Sequence, residues 1–168
     1  FDLLYIVAKN ICKYIMRCKM SYEGKCLCGK VKFSFEYDPM MHFQCHCTMC
    51  QRAFGTTSNA LVLPEDELTI DGELKRYSMT GGSGNGYHFN FCPNCGVTIY
   101  GKPDLLDGLI YVPAGLLHDK IPFKPTVELW TDDKAKWLKQ ADTIENSFVD
   151  NGTVERLGEL LENLDQRE

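Results

Sequence analysis

Three short clusters of cysteines constrain the fold of this chain more than any other feature of its sequence. They contain seven of its nine cysteines. In chain order the clusters are CLCG with Cys26 and Cys28, CHCTMC with Cys45, Cys47 and Cys50, and CPNCG with Cys92 and Cys95. Cysteines so close in sequence are badly placed to join distant elements by disulfides, but they can put two thiolates on one metal ion. The sequence therefore predicts two zinc sites rather than a disulfide framework.

CPNCG is the strongest single signal among the three clusters. A CxxC turn followed by glycine lets backbone N–H groups point at the sulfurs while both thiolates face one ion at about 2.3 Å. CLCG is also followed by glycine and precedes a predicted strand, so it can supply two further thiolates. Four thiolates complete a closed site of the structural kind. This partition assigns the first zinc to Cys26, Cys28, Cys92 and Cys95.

The three remaining cysteines, Cys45, Cys47 and Cys50, can bind a second zinc from one tight segment. Three protein ligands leave a fourth position open, which is typical of catalytic zinc. Because three thiolates outweigh the charge of the ion, we expect a weaker Lewis acid than a three-histidine site would give. Such an ion is better suited to holding another thiolate than to activating water. The pattern therefore favours thiol chemistry over hydrolysis.

Spacing alone leaves a second partition open. A plain pair of CxxC motifs would combine the last two cysteines of CHCTMC with those of CPNCG. The two sets would then be Cys47, Cys50, Cys92 and Cys95 for one ion, and Cys26, Cys28 and Cys45 for the other. Buried, inert thiols and a disulfide framework are the less favoured alternatives.

Two further residues accompany the predicted open site. His46 lies between two ligands and would point away from the ion that they share, so we expect it on the surface or in support of the ligands. Arg52 closely follows the cluster and could meet a carboxylate of a bound ligand. The alternative for Arg52 is an exposed, solvated side chain.

The composition is acidic, with 18 basic and 23 acidic residues and a net charge of −5. This balance gives no general attraction to nucleic acid or anionic membranes, so neither is an expected partner. The longest uncharged stretch near the N-terminus is far shorter than the roughly 18 to 20 apolar residues that span a bilayer. Since no signal peptide of the usual form is seen either, we expect a cytoplasmic protein without a membrane span.

The middle of the chain has the alternating pattern of half-buried β-strands. From residue 30 to residue 37, Val31, Phe33 and Phe35 alternate with polar residues. Turn residues separate this segment from further strand candidates at 57–63, 74–79, 87–91, 97–100, 109–112 and 126–130. Many short strands between turns predict a mostly β domain. The glycine-rich run 81–86 is expected to form a hairpin loop and, more weakly, a lid over a site.

We divide the chain into three segments. Residues 1–19, with the bystander thiols Cys12 and Cys18, are expected to be an N-terminal extension, either upstream of the native domain or a basic amphipathic helix. Residues 20–150 form the zinc domain. Residues 151–168 form a C-terminal amphipathic helix, because apolar residues recur there at three- and four-residue steps. Its apolar stripe, which would dock on the domain or on a second copy in a homodimer, is Val154, Leu157, Leu161 and Leu164.

The order of the motifs resembles a known family. Between about Tyr22 and about Phe148 the chain carries GKCLCGKVKF, CHCTMCQRAFG, FCPNCGVTIY, PAGLL and PTVELWTDDKAKWL. This series is similar to the glutathione-dependent formaldehyde-activating family, which also includes centromere protein V. The resemblance implies a β-tent fold of stacked antiparallel sheets with zinc knuckles. It also implies the first of the two partitions, with one structural zinc and one open zinc that meets the thiol of glutathione.

The family's namesake activity implies a reaction as well. Glutathione adds to formaldehyde and gives S-hydroxymethylglutathione, which is classed as carbon–sulfur lyase chemistry. Two positions depart from the family pattern. Gln51 stands where members commonly have arginine, and Glu128 stands where a histidine often precedes the apolar pair of the final strand. Neither is a predicted metal ligand, so the departures concern the substrate rather than the zinc.

The sequence is therefore compatible with two functions. The first is a zinc-dependent carbon–sulfur lyase or transferase that acts on an adduct of glutathione or another small thiol, with the metal at the CHCTMC cluster and Arg52 steering an anionic ligand. The second is a non-catalytic, zinc-stabilised binding module. A module that binds tubulin or chromatin would be expected to carry a basic extension, because both targets are acidic. The acidic core and tail favour the enzyme.

Overall fold

The computed structural model describes residues 21–165, so the predicted N-terminal extension lies outside the described residues. Within this range the chain forms eleven strands and two α-helices. The strands are β1 (Tyr22–Lys25), β2 (Lys32–Phe35), β3 (Met41–Cys45), β4 (Ser58–Pro64), β5 (Thr69–Asp71), β6 (Lys75–Thr80), β7 (Gly86–Phe91), β8 (Thr98–Pro103), β9 (Leu109–Pro113), β10 (Val127–Leu129) and β11 (Asn146–Phe148). The α-helices are α1 (Thr48–Phe54) and α2 (Thr153–Asp165), and short 3-10 helices span Glu65–Glu67, Asp104–Leu106, Ala114–Leu117 and Thr131–Asp133. None of these helices has the length and apolar character needed to cross a membrane.

The smaller of two sheets contains three antiparallel strands in the order β1-β2-β5. Its middle strand alternates as predicted, since Phe33 and Phe35 are buried while Lys32 is exposed. Successive side chains of a strand point to opposite faces of a sheet. One face of the small sheet is therefore apolar and packs against the rest of the domain.

The larger sheet has eight strands in the order β11-β10-β3-β4-β9-β8-β7-β6. β10 pairs in parallel with both β3 and β11, and the remaining pairs are antiparallel. The glycine-rich run 81–86 connects β6 to β7 as the predicted hairpin loop. Two sheets, a few short helices and a C-terminal helix confirm the predicted, mostly β fold class.

Two apolar cores lie on opposite faces of the large sheet. In β4, Leu61 and Leu63 belong to the first core, whereas Ala60 and Val62 belong to the second. The small sheet covers the first core, and α2 covers the second through Leu160. The alternating side chains of this one strand thus contribute to both cores.

The packed face of α2 differs in part from the predicted stripe. Leu161, which the sequence pattern assigned to the stripe, is 51 % exposed, whereas Leu160 is 1 % exposed and packs in the second core. Arg156, one turn earlier, is also buried, and Asn163 donates a hydrogen bond from its amide to the Met40 carbonyl (2.7 Å). Positions 156, 160 and 163 follow the three- and four-residue steps of one helix face. Leu161 therefore does not pack against its own domain, and its place in an interface with a second copy stays a prediction.

Candidate metal sites and adjoining pocket

Four cysteines from the first and third clusters come together at one end of the two sheets. The sulfur atoms of Cys26, Cys28, Cys92 and Cys95 all lie within 4.8 Å of one another, and none is in a disulfide. The Cys28 sulfur lies 3.5 Å from that of Cys26 and 3.7 Å from that of Cys92. A tetrahedral zinc with Zn–S bonds of about 2.3 Å requires sulfurs about 3.8 Å apart. These residues therefore fit a closed zinc site, and they are the set that the first partition names.

Two turns that share one pattern of closing hydrogen bond hold these four cysteines. In each turn the amide of the first cysteine, Cys26 or Cys92, donates to the carbonyl five residues later, at 2.9 Å in both cases. The glycine that follows the second cysteine, Gly29 or Gly96, has a φ of 73° or 74°. Glycine adopts this left-handed conformation without the steric cost that a side chain would add. The final glycine of CLCG and CPNCG thus closes each turn around the sulfurs.

The middle cluster forms a second group where β3 leads into α1. The sulfurs of Cys45, Cys47 and Cys50 lie within 4.8 Å of one another, and all three side chains are buried. Cys45 ends β3, and the Cys47 sulfur caps α1 by accepting from the Cys50 amide (3.4 Å). No fourth histidine, cysteine or carboxylate of the described residues joins this group. The donor set therefore fits a zinc that keeps one coordination position for a ligand.

The charges of the middle cluster favour a cation between the sulfurs. Hydrogen bonds from Cys45 and Cys50 lower the pKa of Cys47 to about 3. The hydrogen bond with Cys47 raises the pKa of Cys45 to about 12, and hydrogen bonds with Cys45 and Cys47 raise that of Cys50. Three buried thiols thus share one negative charge, and further ionisation is opposed by repulsion between thiolates. A divalent cation removes that repulsion, because it is the largest local charge at such a site and deprotonates its thiols.

His46 and Glu128 form a buried polar network on the other side of β3. The His46 ring is 1 % exposed, and its Nε2 lies 3.3 Å from Glu128 Oε2, which also accepts from Lys134 Nζ (2.7 Å). Burial works to raise the pKa of Glu128, but Lys134, Ser147 and His46 outweigh it and lower that pKa. Burial lowers the pKa of His46, so its ring is neutral near pH 7. The surface alternative for His46 is wrong, and the ring supports the segment that carries Cys45 and Cys47.

Gln51 and Arg52 are consecutive residues of α1 with different surroundings. The Gln51 amide donates to the carbonyls of His46 (2.7 Å) and Asp133 (2.8 Å), so it fastens α1 to the segment after β10. Arg52 is exposed in the last turn of α1. It lines a broad outer groove, whose walls also include Cys47, Tyr77, Met79, Trp130 and Asp133.

An inner pocket opens beside the middle cluster, between the large sheet and α2. Its cavity volume is about 80 Å³, and Cys45, Cys47 and Cys50 form part of its wall. The other walls are mainly aromatic and apolar, with one buried cation. They include Phe43, Tyr87, Leu106, Tyr111, Trp130 and Arg156. A small thiol whose sulfur lies at the cysteines would be largely enclosed here.

Two tyrosines of the pocket keep their protons. Burial raises the pKa of Tyr87 well above its usual value, with the nearby cysteines adding to the rise. Burial also raises the pKa of Tyr111, although the neighbouring Arg156 works against it. Both hydroxyls are therefore neutral and able to donate a hydrogen bond. Tyr87 fits here because Gly101 on β8 has no side chain, since a Cβ at that position would overlap the Tyr87 ring.

Trp130 and the glycine-rich loop separate the inner pocket from the outer groove. Trp130, Gly81 and Gly82 line both spaces. A Cβ at Gly82 would lie only 3.0 Å from the indole ring, so the loop passes close over it. Trp130 itself has a φ of 58°, the one left-handed non-glycine residue of the described chain. Strained backbone of this kind is concentrated at functional sites.

Sequence reasoning missed Tyr87, Trp130 and Arg156 as members of this region, and it singled out Glu128 only in connection with the substrate. These residues come from separate parts of the fold, and isolated aromatic or charged residues carry no spacing signal. Only the pairing of β10 with β3 brings Glu128 to His46. A signal could have been seen for Arg156, because it interrupts the packed face of an amphipathic helix.

Comparison with known proteins gives a family match over the cysteine-rich part of the chain. The model of the family described as "Glutathione-dependent formaldehyde-activating enzyme" matches residues 21–133. A crystal structure of a Rhodobacter sphaeroides protein is 22 % identical, covers 60 % of this chain and 91 % of that chain, and has a TM-score of 0.48. No curated protein matches the chain. The matched residues include all three cysteine clusters and end before α2 begins.

Proposed function

Because this chain belongs to the glutathione-dependent formaldehyde-activating enzyme family, we propose that it is a zinc-dependent carbon–sulfur lyase. Its substrate would be the adduct of a small thiol, glutathione in the first instance, with formaldehyde or a related electrophile. One observation carries this proposal: three buried cysteine sulfurs face a pocket and have no fourth partner among the described metal-binding side chains. This arrangement leaves room for a sulfur from outside the chain.

Each cysteine group has a separate proposed role. Cys26, Cys28, Cys92 and Cys95 would hold a structural zinc. Cys45, Cys47 and Cys50 would hold the second ion, which supplies a Lewis acid that keeps a ligand sulfur in its thiolate form. We expect a cytoplasmic location, because free thiols persist in a reducing compartment.

The walls of the inner pocket suit addition and elimination at a carbonyl carbon. When a thiol adds to formaldehyde, a carbon–sulfur bond forms and the carbonyl oxygen takes a proton. The neutral hydroxyl of Tyr87, a residue of the same pocket wall, would donate to that oxygen as its charge develops. The apolar walls exclude water, which would compete for the electrophile. Arg52, exposed at the outer groove, would attract an anionic thiol towards the entrance.

The decisive test is metal analysis combined with a glutathione titration. Protein loaded with cobalt in place of zinc should contain two ions per chain, and glutathione should change the absorption spectrum of one of them. The variant Cys50→Ser should lose that response together with one ion. Exchange of formaldehyde between free and glutathione-bound forms, followed by NMR, should be faster with the wild type than with the variant. Two inert ions and no thiol binding would contradict the proposal and favour a zinc-stabilised binding module.

A further inference from the structure

Arg156 is a buried cation in the wall of the inner pocket. Its side chain is 4 % exposed, and its guanidinium carbon lies 5.6 Å from the centre of the Phe43 ring. The Nε–H group donates to the Asn151 carbonyl (2.9 Å), and one terminal nitrogen lies 3.9 Å from the Met41 sulfur, a weak acceptor. The guanidinium also acts on the Tyr111 hydroxyl, since it opposes the rise that burial gives to the pKa of Tyr111. An arginine has five N–H donors, so these contacts still leave donors free. Such a group is costly to bury without an anion.

The described part of the chain offers Arg156 no carboxylate at ion-pair distance. Glu159 lies one turn further along α2 and forms no ion pair with Arg156. Burial raises the pKa of Glu159, and the charge of Arg156 acts against that rise from a longer distance. Glu128 is engaged by Lys134. No carboxylate of the described residues therefore pairs with the positive charge on this wall.

A second polar group on the same wall also lacks a partner. The hydroxyl oxygen of Thr153 is buried and has no hydrogen-bond partner among the described residues, and Thr153 lines the inner pocket together with Arg156. Thr153 begins α2, and the N-terminus of a helix carries a partial positive charge that favours anions. A buried hydroxyl without a partner is rare in folded proteins. It is therefore an independent sign that a ligand atom belongs at this place.

We propose that Arg156 and Thr153 form a carboxylate subsite, so that the substrate is a thiol acid whose sulfur lies at the middle cysteine cluster. This inference rests on the proposed function and narrows its substrate class to thiols with a carboxylate. Glutathione belongs to this class, and so do smaller thiol acids. The subsite lies on α2, beyond the matched residues 21–133. Substrate choice would then be set by this C-terminal helix rather than by the cysteine-rich part of the chain.

The test compares two thiols that differ only in charge. The affinities of 3-mercaptopropionate and 3-mercaptopropionamide for the metal-loaded full chain would be measured by calorimetry. The wild type should bind the acid more tightly than the amide. In Arg156→Gln, affinity for the acid should fall about 10- to 100-fold, the range for a lost charge-assisted hydrogen-bond pair, while affinity for the amide changes little. Arg156→Lys should keep part of the preference, and Thr153→Val should lower it by a smaller factor.

Arg76→Gln is the matched control, because Arg76 is exposed on β6, bonds to Asn90 and lines neither the inner pocket nor the outer groove. Its preference for the acid should equal that of the wild type. An equal loss of affinity for both thiols in Arg156→Gln would overturn the proposed subsite, because it would indicate a structural role for Arg156. Should that variant fail to fold, an unchanged preference in both Arg156→Lys and Thr153→Val would overturn it equally. Failure of the wild type to bind either thiol would instead contradict the proposed function itself.

Discussion

Adjacent residues of the CHCTMC cluster serve opposite sides of one strand. Cys45 ends β3 facing the inner pocket, while His46 turns to the buried Glu128 on β10. Glu128 also accepts from Gln140 (2.9 Å) and Ser147 (2.8 Å), so β3, β10 and β11 meet at one carboxylate. Glu128 therefore organises the back of the candidate site.

Replacement of Glu128 by glutamine should destabilise the protein in a way that depends on pH. Near pH 7 we expect a loss of about 3 kcal/mol in the free energy of unfolding, because Lys134 would be left without its buried partner. The pKa of Glu128 is lower in the folded chain than its ordinary value of 4.5. The ionised carboxylate therefore stabilises the fold above about pH 4.5, and this stabilisation is lost as the pH falls through the lower, folded-state value.

The measurement is urea unfolding of the metal-loaded wild type and Glu128→Gln across a series of pH values. The difference between the two proteins should shrink on acidification. The double variant with Lys134→Met should recover part of the loss, because it removes the unpaired cation as well. A difference that stays constant down to acidic pH would show that shape, rather than charge, determines the effect.

At the scale of elements, the sequence predicted most of the strands. The alternation of Val31, Phe33 and Phe35 was enough to predict β2, and the candidate 126–130 covers β10. The three-residue strands β5 and β11 were missed. So short a strand shows little alternation, and β11 is recognised only by its pairing with β10. β3 was missed, although its residues Met41–Cys45 alternate between buried and half-buried side chains. Its last residue had been assigned to the cysteine cluster rather than to a strand.

The candidate site, too, was predicted from the sequence only in part. Local spacing indicated each cysteine turn, because each turn is built within a few residues, but it left two partitions open. The structure brings CLCG together with CPNCG. The inner pocket depends on contacts between β7, β9, β10 and α2, which no local pattern records. Its aromatic walls and Arg156 therefore required the structure.

Leu160 and Leu161 of α2 offer a direct test of which helix face is packed. Leu160→Ala should lower the free energy of unfolding by about 2–4 kcal/mol, the usual cost of a cavity in a core, because this leucine is buried in the second core. Leu161→Ala should change it by less than about 0.5 kcal/mol, because its side chain is half-exposed.

The two variants differ by one position in the same helix, so helix propensity cancels between them. Thermal or chemical unfolding checks the result, and size-exclusion chromatography tests the predicted homodimer at the same time. A change of oligomeric state in Leu161→Ala would show that the exposed leucine belongs to a subunit interface. Equal stability losses in both variants would contradict the packing of α2 described above.

At the scale of the whole molecule, the two cysteine groups connect different parts of the fold. Cys26 and Cys28 lie between β1 and β2 of the small sheet, and Cys92 and Cys95 lie between β7 and β8 of the large one. The closed site thus joins the two sheets around the first core. The three cysteines of the open group all lie near the junction of β3 and α1, beside the second core. Loss of an ion should therefore have global consequences at one site and local consequences at the other.

We expect metal removal to proceed in two stages that can be told apart. The ion at the three-cysteine group has fewer protein ligands, so a chelator should remove it first and leave the fold intact. Removal of the second ion should unfold the chain, since a structural zinc contributes on the order of 10 kcal/mol, comparable with the whole stability of a domain, about 5–15 kcal/mol. Zinc release and near-ultraviolet circular dichroism, followed in one titration, would separate the stages. Cys50→Ser should melt close to the wild type while binding one ion fewer, whereas Cys28→Ser should melt far lower. If both variants melted alike, the closed site would not be what joins the sheets.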